Sequence, residues 1–193
     1  MRRAVFVDRD GVVNELVPDP VSGLPESPLD PEHVALIPGA AAALRRLHEA
    51  GYALVGVSNQ PAAAKGVVGL GDLDRVQDRV LTLLEGEGVV PDAFRLCFHH
   101  PEGVVAELTR VCDCRKPASG MLVAAASELD LDLGRSWLVG DTDDDVSAGS
   151  AVGCRTVLIE NPGSSHKRRD SAAPDARAPD LSGAAEVILR IER

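Results

Sequence analysis

Short apolar runs stopped by polar clusters set the pattern of this chain. Ala4-Val5-Phe6-Val7 is continuously apolar and ends at Asp8-Arg9-Asp10-Gly11. Residues 52–57 repeat the theme and end at Ser58-Asn59-Gln60, and residues 136–139 run into Gly140-Asp141. Residues 93–97 and 155–159 complete the set. Runs of this length without polar alternation predict strands buried on both faces. Between them the spacing is helical. Leu44 and Leu47 mark the apolar face of a helix over 39–50, with Arg45, Arg46 and Glu49 on its wet face and Gly51 as its stop. Leu73, Val76, Val80 and Leu84 mark a second helix, with Asp72 placed to cap it. Further helices are predicted over 118–129, 143–151 and 181–191.

Two stretches break the pattern. Residues 14–38 carry five prolines before Pro38 and little periodicity, which predicts a long loop of the functional or disordered kind. Residues 160–180 are rich in Pro, Ser, Ala and charge and read as a mobile surface segment. The basic run Lys167-Arg168-Arg169 within it reads as a solvated face, the alternative being that it folds over a site to meet a second phosphate. Strands alternating with helices predict an α/β fold: a three-layer, Rossmann-like parallel sheet with helices on both faces. Ligands bind such sheets beyond the carboxyl ends of the strands, where Asp8, Asp10, Ser58, Asn59 and Asp141 all fall.

Length and composition narrow this picture. At 193 residues the chain is expected to be a single domain over 1–193. Aromatic residues are only 3%, so the core must be aliphatic. Against 30 acidic residues stand 20 Lys and Arg, a net charge of −10 that argues against a nucleic-acid partner. No apolar run approaches a membrane span and no secretory signal is evident, so a cytoplasmic protein without membrane contact is expected, taken as a monomer. In a reducing compartment the four cysteines point to something other than disulfides.

Asp8 and Asp10 stand two apart at a strand end, where their side chains can face a common side. Asp141 ends another strand, and Asp143, Asp144 and Asp145 follow. Converging carboxylates repel, and a hard cation such as Mg²⁺ relieves the repulsion while also binding substrate phosphate. Beside that cation and a lysine, Asp8 would remain ionised and could attack phosphorus. Asp10 could protonate the leaving oxygen and later take a proton from water. Lys116 would neutralise charge on the transferring phosphoryl group and Ser58 would contact it.

A second constellation lies between the strands. Cys97-Phe98-His99-His100 and Cys112-Asp113-Cys114 supply three thiolates and an imidazole, a set suited to tetrahedral Zn²⁺. With four protein ligands such a site is structural, and its loop, 97–114, would place Arg115 and Lys116. Cys154 stands apart and reads as a buried thiol.

Four motifs in order resemble the haloacid dehalogenase-like phosphohydrolases: Asp8-Arg9-Asp10-Gly11-Val12-Val13-Asn14, Ser58-Asn59-Gln60, Arg115-Lys116-Pro117 and Gly140-Asp141-Thr142-Asp143-Asp144-Asp145. The resemblance implies that Asp8 is the nucleophile, Asp10 the acid/base, and Ser58 and Lys116 the phosphoryl contacts. It implies Mg²⁺ bound by Asp8, Asp141 and the Asp10 carbonyl, with Asp145 in support. The Cys/His pattern is similar to that of the D-glycero-D-manno-heptose 1,7-bisphosphate phosphatases and their histidinol-phosphatase relatives. That likeness implies Cys97, His99, Cys112 and Cys114 as zinc ligands and substrate contacts at Arg115, with Asn59 and Gln60 also expected to face substrate. Two departures bear on substrate. The stretch Val17-Pro18-Asp19-Pro20 is unlike those enzymes' short substrate loop, and Thr142 stands where they carry lysine. Neither insertion point is long enough for a cap domain, so an open site and a small phosphorylated sugar are expected. Histidinol phosphate and a non-hydrolytic phosphoacceptor role are the alternatives, the latter disfavoured by Asp10.

Overall fold

The computed structural model describes residues 1–169 and 171–191. In chain order the elements are β1 (Ala4–Val7), β2 (Val17–Pro18), β3 (Pro25–Glu26), α1 (Ala40–Glu49), β4 (Ala53–Asn59), α2 (Leu70–Gly86), β5 (Ala93–Cys97), α3 (Gly120–Leu129), β6 (Trp137–Gly140), α4 (Asp143–Ser150), β7 (Arg155–Ile159), β8 (Ala176–Ala178) and α5 (Leu181–Ile191). Six strands form one sheet in the order β5-β4-β1-β6-β7-β8, every pair parallel.

Period-two alternation divides the core between the two faces of the sheet. Val5, Val7, Leu54, Trp137 and Val139 pack with Leu44, Leu47, Val76, Val80 and Ile188 of α1, α2 and α5. Phe6, Val55, Val57 and Leu138 pack on the other face with Met121, Leu122 and Ala148 of α3 and α4. Central strands lined on both faces explain the uninterrupted apolar runs. A fully buried leucine such as Leu44 or Leu47 contributes roughly 1.5–3 kcal/mol of transfer free energy.

The structure differs from the sequence reading in three places. Helix α2 begins at Leu70, so Asp72 is not its first cap; from the third helical position its Oδ2 accepts from the Gly69 amide at 2.8 Å. The loop after Asn14 contains the antiparallel pair β2–β3 and a short 3-10 turn, Pro31–His33. The stretch read as mobile holds a 3-10 helix, Pro162–Lys167, and the sixth strand of the main sheet, β8. Asp143 pins it, accepting from the amides of Arg169 (2.6 Å), Ser171 (3.0 Å) and Ala172 (3.1 Å). Asp175 adds two bonds, from the Thr156 amide (2.7 Å) and hydroxyl (3.0 Å).

Candidate active site and metal centre

The polar strand ends meet at one edge of the sheet. The Asp8 amide still donates to Val139 O at 2.9 Å, so the chain leaves the sheet only after Asp8. Gly11 follows in the left-handed region at φ +83°, where a Cβ would also strike the Asp141 carboxylate. At the end of β6, Gly140 likewise leaves room for the Asp145 side chain.

Lys116 is the centre of the cluster and is 2% exposed. Its ammonium donates to Val57 O at 2.8 Å and lies 2.9 Å from Asp8 Oδ1 and 2.6 Å from Asp145 Oδ1. That commits its three N–H groups. Burial lowers its proton affinity, but Asp145 and Asp8 outweigh burial and hold the lysine above its ordinary value. Asn59 fixes the lysine's backbone, accepting from the Lys116 amide at 3.0 Å and donating to its carbonyl at 2.9 Å.

Burial pushes the Asp8 carboxyl up to about 6, Lys116 pulling against Asp145 and Asp10. Burial, with the charges of Asp8 and Asp145, raises Asp141 to about 8. Two raised carboxyls side by side mark a pocket short of positive charge. Oxygens of Asp8, Asp141 and Asp145 lie within 4.8 Å of one another, a fit for a hard divalent cation. Asp145 is already committed to Lys116 and, through Oδ2, to the amide (3.1 Å) and hydroxyl (2.6 Å) of Thr142. Asp8 and Asp141 are therefore the carboxylates open to the ion, and Ser164 donates to Asp141 from behind.

Asp10 has the opposite setting. Burial alone would raise it, but the Arg9 guanidinium, with Asn14 and Gln60, holds it below the usual carboxylate range. Gln60 is 1% exposed and donates to Asp10 and Ser58, and both ends of the Asn59 amide are taken by Lys116. The Gln60 amide is thus held by Asp10 and Ser58 and the Asn59 amide by the Lys116 backbone, while Asn59 borders the cavity. Arg115 does line the cavity, a space of about 290 Å³ that also holds Asp8, Ser58, Lys116, Lys167 and Arg169. Lys167 and Arg169 therefore rim the site, paired with Glu26 at 2.6 Å and Asp144 at 2.9 Å, and Arg169 is also solvent-exposed. Arg168 turns inward, donating to Asn161 O at 3.1 Å and Ile159 O at 3.3 Å. A second, mostly apolar cavity of about 550 Å³ adjoins under β2–β3, sharing Glu26, Ser27, Pro61 and Lys65. Sequence reasoning missed Arg9, Asn14 and Ser164. A charged residue between two site aspartates was the available signal for Arg9.

The Cys/His set converges as well. The Sγ atoms of Cys97, Cys112 and Cys114 are 3.1–3.7 Å apart, and His99 Nδ1 lies 3.7 Å from Cys97 Sγ and 3.3 Å from Cys114 Sγ. Ligands at Zn–S distances of about 2.3 Å would be separated by nearly these lengths, so the donors fit a closed tetrahedral shell. Burial and the nearby Arg110 charge favour neutral His99, the ligating form. His100 faces its own turn, its Nδ1 accepting from the Glu102 amide at 3.1 Å.

A parallel α/β sheet whose strand ends bring together two aspartates two residues apart, a hydroxyl, a buried lysine and carboxylates fit for a cation has the makings of a phosphoryl-transfer hydrolase. The HAD-hydrolase-like family profile matches residues 113–184. The D-glycero-D-manno-heptose-1,7-bisphosphate 7-phosphatase of Thermosynechococcus vestitus is 38% identical over 97% of this chain and 95% of its own. The corresponding enzyme of Yersinia pestis is 36% identical over 89% and 87%. Among solved structures, the D,D-heptose 1,7-bisphosphate phosphatase of B. bronchiseptica, complexed with magnesium and phosphate, superposes with a TM-score of 0.80 at 28% identity, covering 98% of this chain and 99% of that one. The chain belongs to the haloacid dehalogenase-like phosphatases, in the family of these heptose-bisphosphate 7-phosphatases. It is an enzyme that hydrolyses phosphate esters. Among the described residues no helix is long and apolar enough to cross a membrane.

Proposed function

We propose that this phosphatase removes the 7-phosphate of D-glycero-D-manno-heptose 1,7-bisphosphate and leaves the anomeric phosphate in place. The observation that carries the reading is the arrangement of Asp8, Asp10 and Lys116 in one cavity, in a chain closely similar along its length to enzymes of that name. Asp8 attacks phosphorus in line as the bond to the sugar oxygen breaks. Asp10 gives that oxygen its proton, then takes one from the water that cleaves the aspartyl-phosphate and restores Asp8. Lys116 and Ser58 hold the phosphoryl oxygens, and Arg115 offers a fork for a second anion. Bound by Asp8, Asp141 and the Asp10 carbonyl, Mg²⁺ would supply positive charge against the phosphoryl group. Cys97, His99, Cys112 and Cys114 would hold a structural Zn²⁺ that keeps Arg115 and Lys116 in place. The working unit is taken to be a monomer, and thiol ligands suit a reducing cytoplasm.

The test is phosphate release with Mg²⁺ from both anomers of the heptose bisphosphate and from histidinol phosphate. A heptose bisphosphate is expected to give the highest kcat/KM, since Arg115 would repel the cationic histidinol. A higher value for histidinol phosphate overturns the heptose reading and leaves the phosphatase standing.

A further inference from the structure

The Asp10 carboxylate is saturated. Arg9 grips it side-on, Nε to Oδ1 and Nη2 to Oδ2, each at 3.1 Å. Asn14 Nδ2 donates to Oδ1 at 2.9 Å and Gln60 Nε2 to Oδ2 at 2.6 Å. A carboxylate offers about four lone-pair sites, and four donors occupy them. A carboxylate so held is fixed in orientation, and its placement depends on what anchors each donor.

The four donors are anchored differently. Arg9 is fully buried, and its remaining Nη1 is anchored to Gln77 Oε1 of α2 at 3.2 Å. Withdrawing it would leave a charge unpaired in the interior, which is strongly destabilising. Asn14 shares its Nδ2 with Glu15 O at 3.0 Å and is fully buried in the turn after Gly11. Gln60 is neutral, and the same Nε2 that reaches Asp10 also reaches Ser58 Oγ at 2.9 Å. Its two N–H groups serve both acceptors at once, and the second acceptor is the hydroxyl assigned to the phosphoryl group.

We propose that Gln60 is a positioning residue that couples Ser58 to Asp10, with Arg9 and Gln77 as the fixed side of the clamp. One N–H of Gln60 holds Asp10 Oδ2 and the other holds Ser58 Oγ, so the proton-transfer carboxyl and the phosphoryl-site hydroxyl are kept at one fixed spacing. The inference rests on the reading of Asp10 as proton donor and not on the identity of the sugar.

Gln60→Met keeps size and burial while removing the donor. Its kcat should fall roughly 10–100-fold on an alkyl ester such as glucose 6-phosphate, the scale of a misplaced catalytic group. On p-nitrophenyl phosphate, whose leaving group needs no proton, the loss should stay within about threefold, with KM for both little changed. Combined with Asp10→Asn, it should add nothing to the loss on the alkyl ester, because both changes remove the same step. A raised KM with intact kcat would make Gln60 a substrate contact, and equal losses on both esters would make it merely structural; either result overturns the proposal. If Gln60→Met does not fold, Gln77→Leu loosens the clamp from outside the cavity and should show the same leaving-group dependence in weaker form. Asp10→Asn without leaving-group dependence would instead remove the proton-donor reading itself.

Discussion

A side chain that attacks phosphorus must be ionised, poorly solvated and held still, and Asp8 meets each demand through a different neighbour. Its backbone is fixed by Val139, its Oδ1 by the Arg9 amide at 2.7 Å and by Lys116, and its burial removes competing water. Asp8→Asn keeps the shape and loses the nucleophile, so turnover on any ester should drop more than about 10³-fold while the circular dichroism spectrum stays native. Near-normal single-turnover rates in that variant would rule out covalent catalysis by Asp8. The same residue shows what a sequence can and cannot disclose. Asp8, Lys116 and Asp141 stand out in the sequence because each is a charged group closing an apolar run or set against a proline, and Asp10 because it lies two residues after Asp8. For Asn59 and Gln60 the sequence leaves the hydrogen-bond partners open, since an amide one or two residues beyond a phosphate contact can face substrate or interior. Only the partners decide, and they come from Lys116 and Asp10, both distant in sequence.

Among the elements, the zinc-type loop is the one whose geometry reaches the reaction. Cys114 is two residues from Lys116, and the Gly120 amide that opens α3 donates back to Asp113 O at 2.8 Å. A tetrahedral metal on Cys97 and Cys114 would therefore tie the end of β5 to the lysine. Cys112→Ser should lower the zinc content, the melting temperature and kcat together, because structural zinc contributes folding free energy and the loop it fixes carries Lys116. Unchanged zinc content by elemental analysis would exclude Cys112 as a ligand. Strands β1, β4, β6 and β7 were readable because burial on both faces makes them continuously apolar. Strand β8 was not. Ala176-Arg177-Ala178 has no β-branched residue, and its place at the sheet edge comes from pairing with β7 and from Asp175 bonding Thr156. Likewise the polar composition of residues 160–180 suggested mobility, because the carboxylate that anchors the segment, Asp143, belongs to a distant helix.

Over the whole molecule, two aliphatic half-cores carry the stability and the sheet edge between them gives some of it back. Asp8 and Asp141, raised to about 6 and about 8, bind protons more tightly in the folded chain than in the unfolded one. Between about pH 4 and about pH 8 the native state therefore holds more protons, so stability of the metal-free protein falls as pH rises across that window. Carboxyls held below their ordinary value, Asp10 and Asp143, act in the opposite sense and at lower pH: their contribution is present above about 4 and is lost only as pH falls further. The two effects do not cancel, because they occupy different ranges. Thermal unfolding of chelator-treated protein should thus give a melting temperature that declines from about pH 5 to about pH 8, the reverse of the trend expected when paired carboxylates dominate. Millimolar Mg²⁺ should lift the melting temperature most at the alkaline end, since the ion binds the ionised pair and stabilises whatever state holds it. A flat or rising profile without metal, or an equal Mg²⁺ effect at both ends, would mean that Asp8 and Asp141 do not share one deficit of positive charge.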